Sequence, residues 1–263
     1  SNYRLSGDVK FLPFTNNYFA DLFGTGYQVF QQSVIGPRSL TIGKPPLAGD
    51  VNRDLYIRNN QSVSGEIKIY SGNITVGDGG YLGDVNAGST VSVVARGSIR
   101  IYEDITTQGG DIWLQARSTD ALEGGVLTNA SNLRSNGGDI LISGGSNPYT
   151  SYAIGNSEWT QHLGVTVDGS STINSGAGDI TIRGSQGADN DPDDAVGTYL
   201  SNAQISATTG NIRIYGRLAD QPFTATDYEH SGILAYSANI STTTGDIEVV
   251  GDATAITGAK GDK

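Results

Sequence analysis

One ten-residue pattern recurs through most of the chain. It appears as ITTQGGDIWL (105–114), LRSNGGDILI (133–142), INSGAGDITI (173–182), ISATTGNIRI (205–214) and ISTTTGDIEV (240–249). Each copy centres on a glycine, Gly110, Gly138, Gly178, Gly210 or Gly245, followed by Asp111, Asp139, Asp179, Asn211 or Asp246 and then by isoleucine. A shorter relative, SGEIKIY, spans Ser64–Tyr70. Fixed internal spacing with copies about 28 to 40 residues apart is the signature of a repeat architecture whose rungs carry loops of unequal length.

The pattern has a direct structural reading. The first aliphatic residue ends one strand, the small residues and glycine turn a corner, and the Ile-x-Ile pair opens the next strand with alternate side chains facing inward. Glycine at such a corner relieves the steric cost of a positive φ. The Asp or Asn beside it can accept backbone N–H groups as an Asx turn, so corner chemistry explains these acids before any catalytic ladder does. A single rung cannot bury its apolar face, whereas stacked rungs can. Stacking places Ile112, Ile140, Ile180, Ile212 and Ile247 in one inner column and Leu114, Ile142, Ile182, Ile214 and Val249 in another. The expected fold is therefore all-β: a right-handed parallel β-helix, or β-solenoid, of about six to seven rungs over residues 51–263, with inserted loops. An antiparallel sandwich would also use short alternating strands. It would require hairpin turns and gives no reason for five equal Ile-to-Ile spacings.

Composition agrees and narrows the partners. The 263 residues include 37 glycines and only 16% charged side chains, and Ile, Val, Thr and Tyr favour strands over helices. There is no cysteine, which excludes disulfides and thiolate metal sites. No run approaches the roughly 20 apolar residues of a membrane span, and Ser1 opens no apolar signal region, so a soluble mature chain or a fragment is expected. A net charge of −11 argues against nucleic acid, which needs clustered Lys and Arg.

Residues 1–50 differ from the rest. Eight of the 21 aromatic residues fall in the first 30 positions. Phe14, Tyr18, Phe19, Leu22 and Phe23 fit one face of a short N-terminal helix ending at Gly24. This segment reads as a cap on the solenoid or as a subunit-docking element, with Phe14, Tyr18, Phe19 and Phe23 as contact candidates.

The loops between rungs carry the remaining candidates. One loop contributes Tyr149, Tyr152, Trp159 and His162; another contributes Phe223, Tyr228 and His230. These aromatics could stack on sugar rings or on a neighbouring subunit, or fold back over the solenoid wall. Asp189, Asp191, Asp193 and Asp194 crowd into one acidic loop. It reads as a solvated loop or as oxygen ligands for Ca²⁺, the sole cofactor the chain suggests. Neither histidine belongs to a recognisable nucleophile arrangement.

The Ile-x-[Ser/Thr]-x-x-Gly-[Asp/Asn]-Ile-x-[Ile/Leu/Val] rung, over roughly residues 91–250, resembles the repeats of filamentous-haemagglutinin-type exoproteins. The resemblance implies a secreted or cell-surface structural or adhesive protein and carries over no catalytic residue. The expected partners are further copies of the chain in a fibre, or a cell-surface glycan or protein. The competing expectation is a carbohydrate-active β-helix enzyme or tailspike-like glycan-binding protein, with Asp139 and Asp179 as its first acids to test.

Overall fold

The computed structural model describes residues 2–4, 6–12, 28–30, 33–46, 54–77, 79–116, 124–155, 163–187, 196–218 and 231–252. Every regular element among them is a β-strand. The helix expected around Phe14–Gly24 lies outside the described residues, as do Phe14, Tyr18, Phe19 and Phe23.

Strands fall in strict rotation into three sheets. The first sheet runs from Asn2–Arg4 to Asn239–Thr242, the second from Asp8–Phe11 to Ile247–Asp252, and the third from Gln28–Phe30 to Ser231–Tyr236. Each circuit of the three is one coil. Nine coils begin at Asn2, Ser33, Gln61, Leu82, Ile105, Asn132, Thr172, Gln204 and Asn239. Every named strand pair is parallel, so the fold is a parallel β-helix, about 40 Å long at the usual strand spacing. The sandwich is excluded, since its hairpins would make antiparallel pairs. Seven of these coils begin within residues 51–263, and residues before 51 begin two more and supply strands to all three sheets. The coil 2 pair, Leu40 and Ile42, lacks the Gly-Asx signature of the later rungs, and the coil 1 copy, Gly7-Asp8-Val9-Lys10-Phe11, carries it without an isoleucine pair to mark it.

Register proves the inner columns. Along the second sheet, Leu40, Ile67, Val91, Ile112, Ile140, Ile180, Ile212 and Ile247 face one another in succession. Two positions on, Ile42, Ile69, Val93, Leu114, Ile142, Ile182, Ile214 and Val249 do the same. From Leu40 to Ile214 these side chains are 0–1% exposed. Each buried Ile or Leu contributes about 1.5–3 kcal/mol of transfer free energy, and stacking also satisfies backbone groups between coils.

The three corners are unequal. Between first and second sheets, and between third and first, the chain turns tightly in every coil. Between second and third sheets it turns through only Gly72 and Asn73 in coil 3, but runs from Ala116 to Val126, Gly144 to Val165, Ser185 to Val196 and Arg217 to Ser231 in coils 5 to 8. Insertions at this one corner account for the irregular repeat spacing.

Candidate functional site

The repeat acids sit at the first-to-second corner and hold coil to coil. The Asp139 N–H donates to Asp111 Oδ1 at 2.8 Å, Asp179 N–H to Asp139 Oδ1 at 2.8 Å, Asn211 N–H to Asp179 Oδ1 at 2.7 Å, and Asp246 N–H to Asn211 Oδ1 at 2.9 Å. The bonds run between coils instead of closing a local Asx turn. Asp179 also pairs with Arg213 at 2.8 Å. Burial alone would raise the Asp179 pKa; the Asn211 N–H, the Arg213 guanidinium and the Asn211 amide outweigh it and hold the carboxyl below its ordinary value. The same contact raises Arg213. The small polar residue of the motif has its own role. The hydroxyls of Thr107, Ser135 and Ser175 donate to the carbonyls of Gly110, Gly138 and Gly178 across the corner.

The repeat glycines also differ from expectation. None of Gly110, Gly138, Gly178, Gly210 and Gly245 has a positive φ. A Cβ on Gly138 would instead strike the carbonyl of Gly110, one on Gly178 that of Gly138, and one on Gly210 that of Gly178. Close stacking of backbones requires glycine there. Positive φ falls on neighbours such as Gly109 and Gly176.

The remaining sequence candidates fall between second- and third-sheet strands. The loops holding Tyr149, Tyr152, Trp159 and His162, then the acidic cluster, then Phe223, Tyr228 and His230 leave this corner in coils 6, 7 and 8, consecutive layers about 5 Å apart. Trp159, His162, Asp189, Asp191, Asp193, Asp194, Phe223, Tyr228 and His230 lie outside the described residues. Among the described residues no group of three or more His, Cys, Asp or Glu could hold a metal.

The described part of the coil 6 insertion folds back on the wall. Asn147 organises its turn, accepting the N–H of Tyr149 on its side chain at 3.1 Å and of Ser151 on its carbonyl at 2.8 Å. Ala153–Ile154 then pairs with Gly184 and Ser185 of the second sheet. Tyr149 meets Trp113 edge to face at 5.9 Å but stays 59% exposed. The Arg217 guanidinium lies 4.3 Å from the Tyr152 ring centre, and that of Arg183 lies 5.8 Å from Tyr152 and 4.0 Å from Tyr215. Arg183 Nε is buried without a hydrogen-bond partner among the described residues, so ring contacts are its main compensation there. Tyr215 donates its hydroxyl to Glu248 at 2.7 Å, which together with burial raises its pKa.

Trp113, Arg183, Tyr215 and Arg217 were not candidates from sequence. Each occupies an outward alternate position of a recognisable strand, which was the available signal. Their convergence depends on register between coils of unequal length. The arrangement presents aromatic faces and guanidinium groups beside the loop corner and uses the repeat carboxylates for stacking. It suits recognition of a polar, ring-bearing ligand. No family model, no curated protein and no solved structure matches the chain.

Proposed function

We propose that this protein is a non-catalytic structural and adhesive rod of the cell surface or extracellular space, able to serve as a filament subunit and presenting a ligand edge along one corner. The observation that carries the reading is the confinement of the long insertions of coils 5 to 8 to the second-to-third corner, while the other corners remain tight. Loops at successive levels of a rigid stack form one extended surface. The resemblance of the repeats to filamentous-haemagglutinin-type exoproteins and the absence of cysteine support the extracellular setting. The ligand class is a cell-surface glycan or glycoprotein, met by loop aromatics and the adjoining Tyr152–Arg183–Tyr215 stack.

Coil 3 supplies the control, because Gly72 and Asn73 close the same corner without an insertion. Replacing residues 219–230 by Gly-Asn should leave circular dichroism and melting nearly unchanged and weaken binding on a glycan array or to cells at least tenfold. Unchanged binding overturns the edge as the adhesive surface. Glycan cleavage by the wild type, lost in Asp139→Asn or Asp179→Asn, overturns the non-catalytic reading.

A further inference from the structure

We infer that the outer wall of the second sheet in coils 6 to 8 binds an oxyanion, the carboxylate or sulfate of an acidic sugar, between Arg183 and Arg217. The inference rests on the adhesive reading of the adjoining corner and names the charge of its ligand. Arg183 and Arg217 stand on adjacent paired strands, Arg183 facing Tyr215 and Arg217 facing Ser185. Both guanidinium groups lean on one ring, that of Tyr152, at 5.8 and 4.3 Å from its centre. Neither forms an ion pair among the described residues. The acids nearby are engaged elsewhere: Asp179 pairs with Arg213, and Glu248 accepts the Tyr215 hydroxyl. Asp252 lies across the ladder from Arg217, yet Arg217 Nε donates to Ser185 Oγ at 3.2 Å instead. Arg38, Lys68 and Arg213, by contrast, each meet a carboxylate. Two cations held against one ring repel each other, and a bound anion turns that repulsion into attraction.

A second observation marks the same place. Ile142 and Ile182 are register partners, and Ser143 and Arg183 follow them on the outward side of their strands. Ser143 is 0% exposed, and its Oγ, like Arg183 Nε, is buried with no hydrogen-bond partner among the described residues. The coil 6 insertion encloses this stretch: a Cβ on Gly144 would strike the backbone of Tyr152 and Ala153. A buried polar atom left unmatched is costly, and two in neighbouring coils call for one shared partner. The groups on offer are the Ser143 hydroxyl, Arg183 Nε and the outer nitrogens of both guanidinium groups, all of them donors. An oxyanion supplies only acceptors and the opposite charge, and its geometry matches the guanidinium fork. The outer parts of the site remain within reach of solvent, with Arg183 half-buried and Arg217 exposed. Tyr149, on the same insertion and 59% exposed, offers a ring to the body of the sugar.

The test uses the full chain. Sodium sulfate and sodium glucuronate, titrated separately at fixed ionic strength against sodium chloride, should shift the Arg183 and Arg217 Nε–Hε NMR signals saturably. Polygalacturonate carries only carboxylates and dextran sulfate only sulfates, so calorimetry with each tells the two sources apart, with dextran as the neutral control. At least one acidic polymer should bind tenfold or more tightly than dextran, and added salt should weaken it. Arg217→Gln, at an exposed position, should keep its circular dichroism, lose roughly tenfold in that affinity and flatten the salt dependence. Ser143→Ala should lose several-fold. Nε–Hε signals that respond no differently to sulfate or glucuronate than to chloride overturn the inference, as does acidic binding that both substitutions leave intact. Signals that move when Asp189, Asp191, Asp193 and Asp194 are replaced by Asn also overturn it, since the chain's own acids would then hold the arginines. Binding to cells or neutral glycans with no preference for acid overturns the oxyanion site and leaves the adhesive reading standing. Sulfate shifts in a protein that binds no glycan and no cell overturn the adhesive reading and keep the oxyanion site.

Discussion

At residue scale, two kinds of glycine do different work in this chain. Gly178 has an ordinary φ and faces the Gly138 carbonyl, whereas Gly88 has a φ of +84° and open space around its Cα. Ala at position 178 must displace backbone in the adjacent coil, at about 1–3 kcal/mol; Ala at position 88 meets only the left-handed penalty of about 1–2 kcal/mol. Urea denaturation of both variants should show the Gly178→Ala loss passing to neighbouring coils as broadened or biphasic unfolding, with Gly88→Ala keeping the wild-type shape. The repeated glycine was legible in sequence, but its reason was not. A turn's φ demand is local, whereas the carbonyl that excludes Cβ belongs to a residue 40 positions away in the ladder from Asp139 to Asp179. Asp179 gives a pH test. Its folded pKa is depressed, so its contribution is present above the unfolded value of about 3.9 and disappears as pH falls through the folded value. The melting-temperature advantage of wild type over Asp179→Asn should therefore be flat above about pH 5 and shrink toward acid. Asn retains the Oδ1 acceptor, as Asn211 shows one coil on, so the comparison isolates the Arg213 charge pair.

At the scale of elements, strand positions were more legible than what strands bring together. The Ile-x-Ile pairs mark second-sheet strands because alternate burial there is nearly unbroken. The earliest coils and the third sheet were harder to see. Val165 faces Thr198, which faces Ile233, so a hydroxyl interrupts that column, with Thr198 Oγ1 bonding the Tyr215 carbonyl at 2.9 Å. The inserted segment ending in Ala153–Ile154 shows the same limit. Its two described tyrosines take different roles: Tyr152 is fastened by Arg183 and Arg217, and Tyr149 rests an edge on Trp113 while remaining largely exposed. Cation–π contacts of this kind contribute about 0.5–1 kcal/mol each. Arg183→Gln removes two of them, and amide exchange in residues 145–155 should speed up several-fold while the melting temperature falls little. Equal acceleration across the whole second sheet would mean that Arg183 supports the wall and not the insertion.

At the scale of the whole molecule, repetition made the architecture readable and irregularity hid the surface. Five copies with one internal spacing predicted parallel stacking because only in-register coils give each isoleucine an identical neighbour. Which corner received the insertions could not be read from spacing alone, since a longer interval between copies looks the same wherever its extra residues leave the stack. Coordinates resolve this by showing one corner tied by the Asx bonds from Asp111 to Asp246 and the opposite traffic of chain at another. That tie bears on how the rod would respond to tension. Each coil grips only the layers above and below, through three parallel ladders side by side, so a lengthwise tug loads a whole interface at once. A sideways tug on an insertion would load its own base first, and Ala153–Ile154 would peel from the wall while the shaft kept its pitch.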